Sequence, residues 1–184
     1  PHRASFFAIK KAAPKGIFPS DIGCYTLGLN LQAVDTVLCM GAAVSQAQGF
    51  FHAFRHEDKA PPIVATIGDS TFFHSGLAPL VDAVVQGAGI VLVILDNHTT
   101  AMTGSQPTAA SGVGATGEPL AKVDMEALVR ACGVTFCRTL DPYDIPTMTA
   151  EIKRALSHAR EKKGPAVIIS RHPCLLDKRM AHLK

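Results

Sequence analysis

The sequence predicts an α/β protein, a doubly wound and mainly parallel sheet with helices on both faces. Three observations carry this expectation. Short apolar runs alternate along the chain with segments of helical period, the signature of a parallel sheet built from β-α-β units. The run "IVLVILDN" at 90–97 is apolar without alternation, as a strand covered on both faces must be. Short polar clusters follow two of these runs, and open parallel sheets bind their ligands beyond the carboxyl ends of the strands.

The elements follow in order. Residues 2–12 have a helical pattern, and "DTVLCMG" (35–41) is a strand running into a helix at 42–55. "PPIVATIGDS" (61–70) is a second strand, followed by a helix at 71–88. In that helix Phe73, Leu77, Leu80, Val81, Val84 and Val85 recur at spacings that make one apolar face. After the strand at 90–97 come a helix at 124–133, a strand at 134–138, a helix at 144–163 and a strand at 165–170. Right-handed crossovers would distribute these helices over both faces. The segment "GSQPTAASGVGATGEP" (104–119) has four glycines, two prolines and no period. Such a loop is either a surface excursion or a lid that orders over a ligand.

Bulk properties exclude several function classes. A length of 184 residues suits one domain, and 47% hydrophobic residues is the content of a globular chain. Basic and acidic residues number 18 and 15, a net charge of +3 that gives no support to a nucleic-acid partner. The cations of "REKKG" (160–164) read as the solvated end of a helix, where they suit its dipole. The longest aliphatic run, "IVLVIL" (90–95), is far below the ~20 residues of a membrane span. The N-terminus has no secretory apolar region, so a cytoplasmic protein without membrane partners is expected. The five cysteines form no C-x-x-C pair, and Cys132 and Cys137 are poorly spaced for a metal. Free thiols are expected, with every cysteine except Cys24 a small core residue.

The functional signal lies in "GDSTFFHSG" (68–76) and "LDNHTTAMTG" (95–104). Asp69 falls at the end of one expected strand and Asn97 at the end of the next, with one helix between them. A crossover that returns to the same sheet edge lets the two side chains converge. One anionic and one neutral oxygen donor suit a hard cation such as Mg²⁺, which takes its remaining oxygens from water and substrate phosphates. The helix that starts beside Asp69 offers free N–H groups at the same point, a seat for phosphate. Each cluster alone has an ordinary explanation, an Asp as helix cap and an Asp-Asn turn. Their spacing links them.

"GDS", 26 residues and then Asn97 resembles the G-D-(G/S)-x(24–27)-N signature of thiamine diphosphate enzymes. With "SDIGCYTLG", "DTVLCMGAAVSQAQG" and "LDNHTTAMTGSQP", the chain is similar to the cofactor-binding domain of the indolepyruvate:ferredoxin oxidoreductases, within the 2-oxoacid:ferredoxin oxidoreductases. The resemblance runs from residue 2 to about 176. It departs from the family in Ser20, where glycine is common, and in Ser70, where a second glycine is common. The family's opening motif C-P-G-C-P-H-R meets this chain only at "PHR", and its cysteine-rich C-terminal segment lies past "RMAHLK". Residues 1–184 are therefore expected to be a single pyrophosphate-type domain, a fragment of a larger chain.

The resemblance implies site roles. Asp69, Asn97 and the carbonyl of Thr99 would hold Mg²⁺ on the diphosphate. Gly68, Ser70 and Thr71 would grip the same group, and Thr100, Ala101, Met102 and Thr103 would wrap its opposite side. Gly41, after Cys39 and Met40, would let backbone approach the cofactor, or serve only as a turn glycine. Cys24 would lie near the reacting ring, or be a core thiol. His74 would face the reacting centre, or simply pack, and these last two are the candidates for direct catalysis. The family decarboxylates 2-oxo acids oxidatively to acyl-CoA, with ferredoxin as acceptor and iron–sulfur clusters carried elsewhere in the enzyme. A separate pyrimidine-type domain supplies the activating glutamate, so a homo- or hetero-oligomer is expected. Two other functions stay open from the sequence: a non-oxidative thiamine diphosphate-dependent decarboxylase or synthase, and a non-catalytic cofactor-binding module.

Overall fold

The structure, a computed structural model, describes residues 1–162 and 164–177. Six strands form one sheet in the order β2-β1-β3-β4-β6-β5, with every neighbouring pair parallel. They are β1 (Pro19–Ser20), β2 (Thr36–Val37), β3 (Val64–Gly68), β4 (Val91–Asp96), β5 (Phe136–Leu140) and β6 (Ala166–Arg171). The helices are α1 (His2–Ala12), α2 (Ala42–Phe54), α3 (Asp69–Thr71), α4 (Leu77–Val85), α5 (Met125–Ala131) and α6 (Ile145–Lys162). A π-helical turn, Phe72–Gly76, joins α3 to α4, and a 3₁₀ helix spans Cys24–Leu31.

The alternation of side chains along each strand divides the core in two. On β4, Val91, Val93 and Leu95 point to the face covered by α1 and α6, where Phe6, Ile9, Met148 and Ile152 are buried. Leu92 and Ile94 point to the face of α2, α4 and α5, against Val44, Leu80 and Val129. All six residues of β4 are buried. That explains why its sequence is apolar without a period of two.

The expected α/β architecture is therefore present, with corrections in detail. The strand expected over 35–41 is only Thr36–Val37, because the chain bends at 38–40 and turns at Gly41 with φ of 89°. The strand expected to 70 stops at Gly68, and Asp69 already begins the helix. The strand at 134–138 lies two residues later. Strand β1 and the 3₁₀ helix were missed, since two strand residues carry no readable period. The expected apolar stripe of the helix after β3 is also rotated. Val81 and Val85 are 45% and 77% exposed, while Phe72, Leu80 and Ala83 are buried. The π turn explains this, because its wider i→i+5 turn shifts the register of everything after it.

All five cysteines are free thiols. Cys137 and Cys174 are buried as expected, but Cys132 is half-buried and Cys39 is exposed. Cys39 lies in the bend before α2, which corrects its reading as a core residue. Arg160 is exposed on the last turns of α6. The Lys162 side chain, Lys163 and residues 178–184 lie outside the described residues, and with them most of "REKKG" and all of "RMAHLK". Among the described residues no helix is long and apolar enough to cross a membrane.

Candidate cofactor site at the carboxyl edge of the sheet

Strands β3 and β4 pair in register from Val64↔Val91 to Gly68↔Leu95. That register sets Asp69 beside Asp96 and Asn97 at one edge of the sheet. All three are buried, with exposures of 3%, 1% and 5%. Asp69 Oδ1 accepts the Ser70 N–H at 2.8 Å. Its other oxygen, Oδ2, is buried with no hydrogen-bond partner among the described residues. Burial, reinforced by the neighbouring Asp96 carboxylate, pushes the Asp69 pKa well above the ordinary carboxylate range. A buried acid with one oxygen unused is costly unless something pairs with it. A cation is the group such an oxygen suits.

Asn97 and Thr99 arrive on a tight turn. Asn97 Oδ1 accepts the Thr99 N–H at 3.3 Å, and His98 between them has a left-handed φ of 62°. The Thr99 hydroxyl donates to the Gln106 carbonyl at 3.2 Å, and an antiparallel bridge joins Thr100 to Gln106. Thr99 is buried, Thr100 and Ala101 are half-buried, and Met102 and Thr103 are exposed on a short 3₁₀ turn. The loop thus starts at the site and folds back on itself. Within 104–119 a second bridge, Val113↔Pro119, gives the remainder hairpin-like order.

A neighbouring acid escaped the sequence reading. Asp21, fully buried after β1, accepts the Gly41 N–H on Oδ2 and the Ala43 N–H on Oδ1, both at 2.9 Å. It caps the start of α2 from another element. Burial raises its pKa, and these backbone bonds oppose the rise. The start of α2 is thereby already supplied with an anion, which leaves the helix beginning at Asp69 as the free seat for phosphate. The signal was an acid in "SDIGC" placed at a strand end, invisible because the strand is two residues long.

The remaining expected residues spread over the same edge. A Cβ at Gly41 would meet Ser75 Oγ at 2.5 Å, so this position is a turn glycine held against the π turn. A Cβ at Gly68 would meet the Tyr25 ring at 2.6 Å. Tyr25 is buried, donates to the Ile22 carbonyl at 3.1 Å and has its pKa pushed up to about 12 by burial. Thr71 is buried and Ser70 half-buried. Met40 and His74 are exposed on the surface, and Cys39 joins them. Cys24 is half-buried and borders a cavity of about 490 Å³ that His2, Phe6, Asn97, Ala101 and Cys174 also line. Burial raises the Cys24 pKa. Among the described residues no three His, Cys, Asp or Glu side chains gather as a metal site. A cation here would rest on Asp69 together with neutral oxygens, a donor set that matches Mg²⁺.

An all-parallel sheet that gathers a buried carboxylate without a hydrogen-bond partner, an asparagine turn and a helix start at one edge is the architecture of an α/β ligand-binding fold. The chain belongs to the thiamine pyrophosphate enzyme family, whose C-terminal TPP-binding domain matches residues 21–170. It is 46% identical over 181 residues to the indolepyruvate oxidoreductase subunit IorA of Archaeoglobus fulgidus, and 45% identical to that of Pyrococcus horikoshii. Each match covers 96% of this chain but only 28% of the relative's length. Among solved structures, a 2-oxoglutarate:ferredoxin oxidoreductase from Magnetococcus marinus has the same fold. Its TM-score is 0.81 at 18% identity, over 94% of this chain and 62% of that one. Benzoylformate decarboxylase from Polynucleobacter necessarius superposes with a TM-score of 0.60 at 20% identity, over 95% of this chain and 34% of that one.

Proposed function

We propose that this chain is the diphosphate-holding domain of an aryl 2-oxo acid oxidoreductase of the indolepyruvate type. The observation that carries the reading is the buried, unpartnered Asp69 Oδ2 beside Asn97 and Thr99. Asp69 Oδ2, Asn97 Oδ1 and the Thr99 carbonyl would hold Mg²⁺. Ser70 and Thr71 would bind diphosphate oxygens at the start of the helix, with Gly68 leaving room for the Tyr25 ring beside them. Thiamine diphosphate, when bound, supplies the nucleophilic carbon and the electron sink. This chain contributes position and polarity. Its loop from Thr100 to Thr103 would shield the diphosphate from water, and Cys24 would stand near the reacting end.

The wider assignment rests on likeness to relatives several times longer. Their name, indolepyruvate oxidoreductase subunit, supports an oxidoreductase of more than one subunit. Ferredoxin, iron–sulfur clusters, coenzyme A and a pyrimidine-type domain with an activating glutamate would lie outside residues 1–184. Five free thiols fit a reducing cytoplasm. The oxidative reading is favoured over a non-oxidative decarboxylase, because the relatives at 46% and 45% identity are named oxidoreductase subunits, whereas the likeness to the decarboxylase, at 20% identity, is one of fold alone.

Calorimetry on the full-length protein tests the site. Thiamine diphosphate should bind tightly only with Mg²⁺, and Asp69→Ala should weaken that binding by at least about 100-fold, roughly 2.7 kcal/mol. Equal affinity without Mg²⁺ would remove the metal assignment. Failure of the intact protein to reduce ferredoxin with any aryl 2-oxo acid and coenzyme A would remove the oxidoreductase.

A further inference from the structure

The turn that carries Asn97 and Thr99 is tied to the end of β6 by three contacts. Arg171 Nε donates to Asp96 Oδ2 at 2.6 Å, the His172 N–H donates to the Asp96 carbonyl at 3.0 Å, and the Cys174 N–H donates to the Asn97 carbonyl at 3.2 Å. Asp96 passes this anchoring on, since its Oδ1 accepts the His98 N–H at 3.2 Å. His98 is the residue at a left-handed φ of 62°, a conformation uncommon for residues other than glycine that histidine adopts more readily than most. One oxygen of Asp96 therefore accepts from a donor on β6 and the other from a donor on the turn that Asp96 begins. An asparagine there would turn an NH₂ group against one of them.

We propose that Arg171 is a positioning residue for the divalent cation, acting through Asp96 to hold the Asn97–Thr99 turn in the shape that binds Mg²⁺. This rests on the metal site proposed above. Among the described residues no hydrogen bond joins the Arg171 side chain to Asn97 or Thr99; its hydrogen bond goes to Asp96. Its side chain is 37% exposed while that of Asp96 is fully buried, so water could take over part of its role for the fold. It could not take over the direction of the bond.

Charge and position make opposite predictions here, which gives the proposal a sign. A guanidinium near a cation site repels the cation, so acting by charge alone its removal should tighten Mg²⁺ binding. If Arg171 works as a strut, its removal loosens the turn and weakens binding. Residues bonded directly to a metal ligand typically matter by about 10–100-fold in metal affinity; Arg171 stands one bond further out, which puts the expected effect at the low end of that range.

The test is an Mg²⁺ titration at fixed thiamine diphosphate, read by calorimetry on the full-length protein. Arg171→Met should weaken Mg²⁺ at least about tenfold, and Arg171→Lys, which keeps a donor for Asp96, should recover most of that loss. A merely structural role would lower the melting temperature of both variants without separating their Mg²⁺ affinities. If Arg171→Met does not unfold cooperatively, Arg171→Ala replaces it, a neutral side chain without a donor that leaves room for water at Asp96. Weaker Mg²⁺ binding by the neutral variant supports the proposal, and equal or tighter binding overturns it. Asp69→Ala in the same titration separates the two readings. If it leaves Mg²⁺ binding intact, the metal site itself is wrong; if it abolishes binding while Arg171→Met does not weaken it, only the strut is wrong.

Discussion

At the scale of single residues, the buried carboxylates that end β4 and follow β1 and β3, those of Asp96, Asp21 and Asp69, differ in what their oxygens meet. Asp21 has both oxygens on backbone N–H groups. Asp96 has Arg171 on one oxygen and the His98 N–H on the other. Asp69 keeps one oxygen without a hydrogen-bond partner among the described residues. The first two build the edge, and in the proposed site the third faces the ligand. His2 adds a titration of a different sign. Its Nε2 is enclosed without a partner among the described residues, and burial holds its pKa down at about 4 against an ordinary 6.5. Below pH 6.5 the unfolded chain takes the proton first, so the folded state loses stability as pH falls from 6.5 through about 4. The loss is bounded by about 3 kcal/mol, at roughly 1.4 kcal/mol per unit. Urea unfolding at pH 7 and pH 4.5, followed by circular dichroism, should show it. His2→Phe, which keeps the edge-to-face packing on Tyr25, should be less sensitive to pH over that interval. An equal loss in the variant would assign the acid sensitivity to other groups.

At the scale of elements, the junction of the β2–α2 connection with the π turn shapes the site. Gly41 combines a φ of 89° with a Cβ position 2.5 Å from Ser75 Oγ. Gly41→Ala should therefore cost about 1–3 kcal/mol. Ser75→Gly in the same chain should recover only the steric part, because the backbone strain remains. Full recovery would mean that φ at Gly41 carries no cost. This junction also marks what the sequence could reveal. The pairing of Asp69 with Asn97 was legible because one helix and one strand separate them, and adjacent parallel strands fix the outcome. The role of Asp21 was not legible. It depends on a two-residue strand and on a cap that reaches 20 residues along the chain to Gly41. The rotated apolar stripe of α4 was also hidden, since a π turn leaves no trace in a search for a period of 3.6. Exposure of Cys39 and Met40 follows from the bend that replaced the expected strand.

At the scale of the whole molecule, two apolar layers clamp β4 and so fix the height at which Asp69, Asp96 and Asn97 emerge together. Held at that height, the strand end would let one crossover bring together the two parts of the proposed metal clamp. In the proposed site one cation sits between Asp69, the Asn97 turn and a diphosphate. Mn²⁺ substituted for Mg²⁺ in the full-length protein, with thiamine diphosphate bound, makes this directly measurable by electron–nuclear double resonance. A phosphorus coupling to the bound Mn²⁺ is expected in the wild type, and its loss together with Mn²⁺ affinity in Asp69→Ala. Tightly bound Mn²⁺ without phosphorus coupling, or an unchanged signal in Asp69→Ala, would contradict it.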